Sequence, residues 1–114
     1  MAEAPARLSA LSVLVFGGPM TLGELATAEQ VKPPTMSRVA AGLELGGLVR
    51  RISDATDARR VHLQATPKGA KLIQQGRRRR IKYLASHLHK LSRAEVTVLD
   101  QTLEILERVL RNWK

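Results

Sequence analysis

Residues 53–69 read SDATDARRVHLQATPKG, and this stretch holds the side chains best suited to chemistry. Asp57 stands two residues before Arg59; Arg60 follows, and Arg50 and Arg51 lie shortly upstream. A carboxylate at that spacing can fix a guanidinium by a charge-assisted hydrogen bond. The chemistry on offer is recognition of a polyanion. An arginine at a hairpin tip can reach into a narrow minor groove, where negative potential is enhanced, and arginines on the flanking strands can neutralise phosphates. Taken by itself, an exposed hairpin with ordinary surface charge has the same composition.

Catalytic chemistry is not expected. The chain has no paired carboxylates, no nucleophile beside a base, no metal-ligand cluster and no phosphate-cradling glycine loop at a usable spacing. Without cysteine there is no disulfide framework, thiolate zinc site or thiol switch. His62, His87 and His89 are too few and too oddly spaced for a metal and read as solvent-facing or partly buried residues. No metal or cofactor is implied. A net charge of +9 on 114 residues makes a polyanionic partner the first physical hypothesis. The longest apolar run, ALSVLVF from Ala10 to Phe16, is far short of a membrane span. It also lacks the basic flank and small-residue cleavage site of a secretory signal. No membrane partner and a cytoplasmic location are therefore expected.

The elements that must position the basic hairpin follow from periodicity and punctuation. Leu8, Leu11, Leu14, Val15 and Phe16 recur at helical spacing from Pro5 to Phe16, and Gly17–Pro19 ends that helix. Thr21 followed by Glu24 is a capping-box pattern, which starts a short second helix running to about Glu29. Pro33 and Pro34 suit the first turn of a third helix, because amides there would be unpaired anyway, and Gly46 and Gly47 close it. Met36, Val39, Ala40 and Leu43 fall on one face of this helix, whereas Thr35, Ser37, Arg38 and Ala41 fall elsewhere and are short or basic.

Two short helices joined by a tight connection, the second with a small polar outer face, read as a helix-turn-helix. A recognition helix must enter a major groove about 12 Å wide, so small outward side chains permit close approach. A plain helical hairpin with a solvated face explains these residues equally well. The next segments decide between them. Leu48–Ser53 and Arg60–Thr66 alternate apolar with polar residues, and the DATDA between them has turn composition. A two-stranded ribbon directly after a helix-turn-helix is a winged helix, with Arg59 and Asp57 at the wing tip and Arg50, Arg51 and Arg60 on its strands.

From about Leu8 to Leu110 the sequence resembles the multiple antibiotic resistance regulator (MarR) family of bacterial winged-helix transcription factors. The resemblance rests on MTLGELA, on VKPPTMSRVAAGLELGGLVRR, on Asp57-Ala58-Arg59 leading through VHLQATPKG, and on LSRAEVTVLDQTLEILERVL. The wing signature, placed between the recognition helix and the Thr-Pro-x-Gly helix start, is the most specific of these. By this resemblance Pro34, Thr35, Ser37 and Arg38 face DNA and Arg59 is the wing-tip arginine held by Asp57. Lys32 stands where the family often has a serine-like cap, which weakens the cap by about 1 kcal/mol but adds a charge able to contact phosphate. The resemblance begins at what would be the family's second helix, so most of the usual N-terminal helix is expected to be missing. It also brings a small anionic or phenolic effector into view.

After the wing, Thr66 and Pro67 start a long helix to about Lys90, with Ile73, Ile81, Leu84, Leu88 and Leu91 as a near-heptad seam. Ser92 and Glu95 form a second capping box, which starts a last helix to about Arg111. That helix carries one apolar stripe of Val96, Leu99, Leu103, Leu106 and Leu110, with Val98, Ile105, Val109 and Trp113 beside it. Such width suits packing on its own domain and on a partner chain at once. Four consecutive arginines, Arg77–Arg80, point all round the helix and read as a mostly solvated run outside the site, contact with phosphates or pairing with acids such as Glu104 and Glu107 being the alternative.

The expected fold is mainly α with a small β-wing. Residues 1–66 form a winged helix-turn-helix DNA-binding region and residues 67–114 a helical dimerisation region, within one compact domain. Leu84, Leu88, Leu99, Leu103, Leu106 and Leu110 are the expected dimerisation residues. The expected function is sequence-specific binding of double-stranded DNA as a homodimeric repressor on an inverted repeat with half-sites about 10 bp apart or a multiple. Two other readings stay open: an RNA-binding winged helix, disfavoured by the scarcity of aromatics, and an interaction module that heterodimerises with a full-length relative.

Overall fold

The computed structural model describes residues 3–113, in the order α1 Glu3–Gly17, β1 Met20–Thr21, α2 Leu22–Ala28, α3 Pro33–Leu45, β2 Val49–Ser53, β3 Val61–Ala65, α4 Pro67–Leu88 and α5 Arg93–Arg111. The helix starts follow the chemistry of their caps. At α2, Thr21 Oγ1 accepts from the Glu24 amide and Glu24 Oε1 accepts from the Thr21 amide, both at 3.1 Å. α3 begins on Lys32, whose side chain makes no cap bond, and relies instead on Pro33 and Pro34, which have no amide to satisfy. Between them Gln30 takes a left-handed φ of 58°, and the Val31 amide closes α2 on the Ala26 carbonyl at 3.0 Å.

The sheet is three-stranded and antiparallel, in the order β1-β3-β2. It adds β1 to the two-stranded ribbon expected from the sequence, with Met20 opposite Leu63 and Thr21 opposite His62. The extended backbone of Thr21 (φ −68°, ψ 161°) serves the strand and the α2 N-cap together. In the ribbon Arg51 opposes Leu63 and Arg50 opposes Gln64, so these consecutive arginines point to opposite faces.

The chain forms two compact units, one up to Arg77 and one from Arg78 onward. In the first, Leu11 and Leu14 of α1, Leu25 of α2, Met36, Val39, Ala40 and Leu43 of α3, Val49, Leu63 and Ile73 form one buried core. The four α3 residues are the face expected from their spacing. The first turn of α4 is locked to the end of α3. Thr66 Oγ1 accepts from the Gly69 amide at 3.1 Å and donates to the Gly47 carbonyl at 2.6 Å, while the Thr66 amide donates to the Leu48 carbonyl at 3.0 Å. A Cβ at Gly69 would lie 2.2 Å from that Leu48 oxygen, so only glycine permits this approach.

Ile73 therefore belongs to the winged unit, and the structural division falls inside α4 rather than at the 66/67 boundary expected from the sequence. The near-heptad seam divides with it, since Ile81 and Leu84 are exposed. In the second unit Ser92 and Glu95 form the expected reciprocal cap of α5. No residue of α5 is buried among the described residues.

Candidate nucleic-acid interface

The outer side of α3 is built by exclusion. With Met36, Val39, Ala40 and Leu43 in the core, Pro34, Ser37, Arg38, Ala41 and Leu45 emerge as one exposed stripe at steps of three and four. Apart from Arg38 and Leu45 these side chains are small, which allows the backbone close to a groove floor. Lys32 and Arg38 are exposed and make no ion pair with another described residue. Thr35 is half-buried, at the edge of the stripe rather than on it. Leu45, 91% exposed, was not singled out from the sequence. Its signal was its place four residues beyond Ala41, where a leucine with no core to fill can meet a thymine methyl.

The wing tip is a nested set of carboxylate caps. Asp54 Oδ1 accepts from the Thr56 amide and hydroxyl, each at 2.8 Å, and from the Asp57 amide at 3.2 Å. Asp57 Oδ1 in turn accepts from the Arg59 amide at 3.0 Å and Arg59 Nε at 3.2 Å. Arg59 nevertheless keeps 92% of its side chain exposed. Its guanidinium is thus oriented from behind and open in front. The donated bonds hold both carboxyls below the ordinary aspartate range, Asp54 chiefly through the Thr56 amide and Asp57 chiefly through the Arg59 amide.

The other wing arginines are each tied to the chain. Arg50 Nε donates to Gln64 Oε1 and Arg51 Nε to Glu44 Oε1, both at 2.9 Å, so Arg51 links β2 to the end of α3. Arg60 lies in the turn before β3, not on a strand as expected, with Nη2 3.8 Å from Glu24 Oε1 at the start of α2. The turn ends there because the Arg60 amide donates to the Asp57 carbonyl and the Arg60 carbonyl accepts from the Asp54 amide. In the arginine run, Arg77 sits 5.6 Å from the Phe16 ring centroid. Arg78, Arg79 and Arg80 are exposed, as expected of a mostly solvated run, and make no ion pair with Glu104 or Glu107.

Among the described residues no group of three or more histidines or carboxylates could hold a metal ion. No helix among them is long and apolar enough to cross a membrane.

Known proteins are similar to this chain in sequence and fold. The MarR family model matches residues 5–61, half of the chain. The HTH-type transcriptional regulator Mb0904 of Mycobacterium bovis is 39% identical over 100 residues, spanning 88% of this chain and 70% of the relative. YsmB of Bacillus subtilis, also an HTH-type transcriptional regulator, is 26% identical over 107 residues, 94% of this chain and 73% of the relative. Among solved structures, a MarR family protein from Bacillus stearothermophilus superposes with a TM-score of 0.82 at 27% identity, covering 96% of this chain and 76% of that one. The fold of FabT from Streptococcus pneumoniae, crystallised in complex with DNA, matches with a TM-score of 0.73 at 22% identity, covering 96% and 76%. A small-faced helix beside an arginine-tipped wing, on a chain with these relatives, belongs to the MarR family of DNA-binding helix-turn-helix transcriptional regulators.

Proposed function

We propose that the chain acts as a homodimeric repressor in the cytoplasm, binding an inverted-repeat operator in double-stranded DNA. In this reading Pro34, Thr35, Ser37 and Arg38 enter the major groove, and Lys32, Arg50, Arg51 and Arg60 meet phosphates. Arg59, braced by Asp57, enters the adjacent minor groove. The observation that carries it is the pairing of two features in one unit: a stripe of small residues on α3, and a wing arginine fixed on one side and open on the other. FabT, a neighbour of the same fold, has been crystallised with DNA, which agrees with this use of the fold.

The dimer rests on α5. Leu103, Leu106 and Leu110 are each about half exposed, as are Val96, Val98, Ile105 and Val109, and Trp113 is more so. Leu99 is half-buried. An apolar face of this extent on a soluble chain marks an interaction surface. Leu84 and Leu88 of α4 belong to the same proposal. Leu88 lines an apolar groove of about 540 Å³ with Leu91, Ala94, Val98 and Leu99, which suits a partner helix. A small anionic or phenolic effector that weakens DNA binding completes the reading; a phenolic carboxylate added to the DNA titration tests it.

Replacement of Arg59 by alanine tests the interface. Duplex affinity should fall severalfold with the circular dichroism spectrum intact, and unchanged affinity overturns the wing assignment. Arg38→Ala should alter preference among operator variants, whereas Lys32→Ala should weaken all duplexes alike. A stable monomer by native mass would favour silencing of a relative by heterodimerisation over operator binding.

A further inference from the structure

One titratable group in the winged unit has no place in the DNA contacts above. His62 lies mid-strand on β3, opposite Thr21 of β1 and Ile52 of β2, with one-fifth of its side chain exposed. Its Nε2 lies 3.7 Å from Oδ2 of Asp54, a carboxylate only 17% exposed. The other oxygen of Asp54 caps the wing turn through Thr56 and Asp57, and Asp57 holds Arg59. A continuous chain of polar contacts thus runs from the imidazole to the exposed guanidinium.

We infer that His62 is a positioning residue for Arg59: its imidazolium, set against Asp54, holds the wing turn in the form that presents Arg59, so that wing order and DNA affinity rise as His62 gains its proton. The inference builds on the reading of the wing as a DNA contact. The charged groups facing His62 are Asp54, just past β2, and Glu24 from the start of α2, which also faces Arg60 from the turn. Arg60 is engaged with Glu24 at 3.8 Å, which leaves Asp54 as the carboxylate that His62 alone answers. Imidazole is the side chain that changes charge between about pH 5 and 8. A protonated His62 therefore draws Asp54 inward, whereas a neutral one leaves Asp54 with its hydrogen bonds alone. A turn already ordered in the free protein has less conformational freedom to lose on binding, which raises affinity without a new contact.

The test compares the full chain with His62→Gln and Asp54→Asn at about pH 5.5 and about pH 8. Glutamine keeps a polar side chain without the charge. Asparagine keeps the acceptor for the Thr56 and Asp57 amides but loses the anion. His87 and His89 are common to all three proteins, so they do not enter the comparison. Nitrogen relaxation order parameters for residues 54–60 are read in the free protein, and duplex affinity by anisotropy. The wild type should bind about two- to fivefold more tightly at the lower pH, beyond any change in His62→Gln, as befits one partly exposed ion pair. Asp54→Asn should abolish that excess, and wing order should follow the same pattern.

Equal pH responses in wild type and His62→Gln overturn the inference. A full pH response retained in Asp54→Asn overturns it too, because His62 would then act as a free charge toward DNA. If the order parameters follow His62 while affinity does not, the positioning role stands and the wing's role in binding DNA falls.

Discussion

Replacing Gly69 by alanine should lower the melting temperature, although the same change in an ordinary helix raises it. Alanine gains about 1 kcal/mol over glycine in a helix interior. Against this, a Cβ at Gly69 would stand 2.2 Å from the Leu48 carbonyl oxygen, 3.1 Å from its carbon and 3.0 Å from Leu11 Cδ1. The first two are backbone atoms, and Leu11 is fully buried, so no flexible side-chain end can give way. α4 must move off the Leu48 backbone, at an overpacking cost of about 1–3 kcal/mol. It also strains the Thr66 amide bond to the same oxygen, worth about 1 kcal/mol more. The net loss is about 1–3 kcal/mol, or about 4–24 °C for a unit of this size. Gly23 in α2 is the internal control. A Cβ there meets nothing within 4 Å, so Gly23→Ala should stabilise by about 0.4–1 kcal/mol. Thermal unfolding followed by circular dichroism at fixed protein concentration reads both, the concentration being fixed because self-association alters apparent stability. A Gly69→Ala protein that melts with or above the wild type refutes the close approach of α4 to Leu48.

Lys32→Ser supplies the missing cap of α3 and should raise stability by about 1 kcal/mol while weakening duplex binding; a lower melting temperature contradicts the cap assignment. Leu106→Asp, placed in the exposed α5 stripe, should convert the protein to a monomer by native mass and leave the winged unit's helical signal intact, and a persistent dimer removes α5 from the interface. Glu24, Asp54, Asp57 and Glu95 are all held below the ordinary carboxylate range by donated hydrogen bonds, from Thr21, Thr56, Arg59 and Ser92 respectively. Their contribution is complete above the ordinary carboxylate pKa of about 4 and is lost as pH falls through the lowered values. The melting temperature should therefore fall on acidification below about pH 4, and Glu95→Gln should show a shallower fall; an unchanged acid limb in that variant contradicts the Ser92 cap.

Much of the winged unit was legible because its signals are local. The buried face of α3 follows from helical period, the two capping boxes from a hydroxyl and a carboxylate three residues apart, and the Asp57–Arg59 contact from a separation too short to close any other way. β1 was not legible. A two-residue strand leaves no alternation, and Thr21 is already spent, in sequence terms, on the cap of α2. The Glu44–Arg51 and Glu24–Arg60 pairs escaped notice because each joins a helix to the wing, and long-range partners leave no mark in spacing. Ile73 and Ile81 share a seam in sequence, yet only Ile73 finds the winged core to fill. His62 read as an unremarkable histidine because its meaning depends on Asp54, eight residues earlier and brought beside it only when β2 and β3 pair.

The central claim is that α3 and the wing together read a DNA sequence. The most direct measurement is a fluorescence-anisotropy titration at fixed salt, comparing duplex from the region upstream of this chain's own gene with a scrambled duplex of equal length. A preference of about a thousandfold or more for the upstream duplex, the usual margin of specific over non-specific binding, is the expected result, and it should collapse in Arg59→Ala. Equal affinity for both duplexes, falling alike as salt is raised, would mean that only the net positive charge binds DNA and would contradict sequence reading by α3 and the wing.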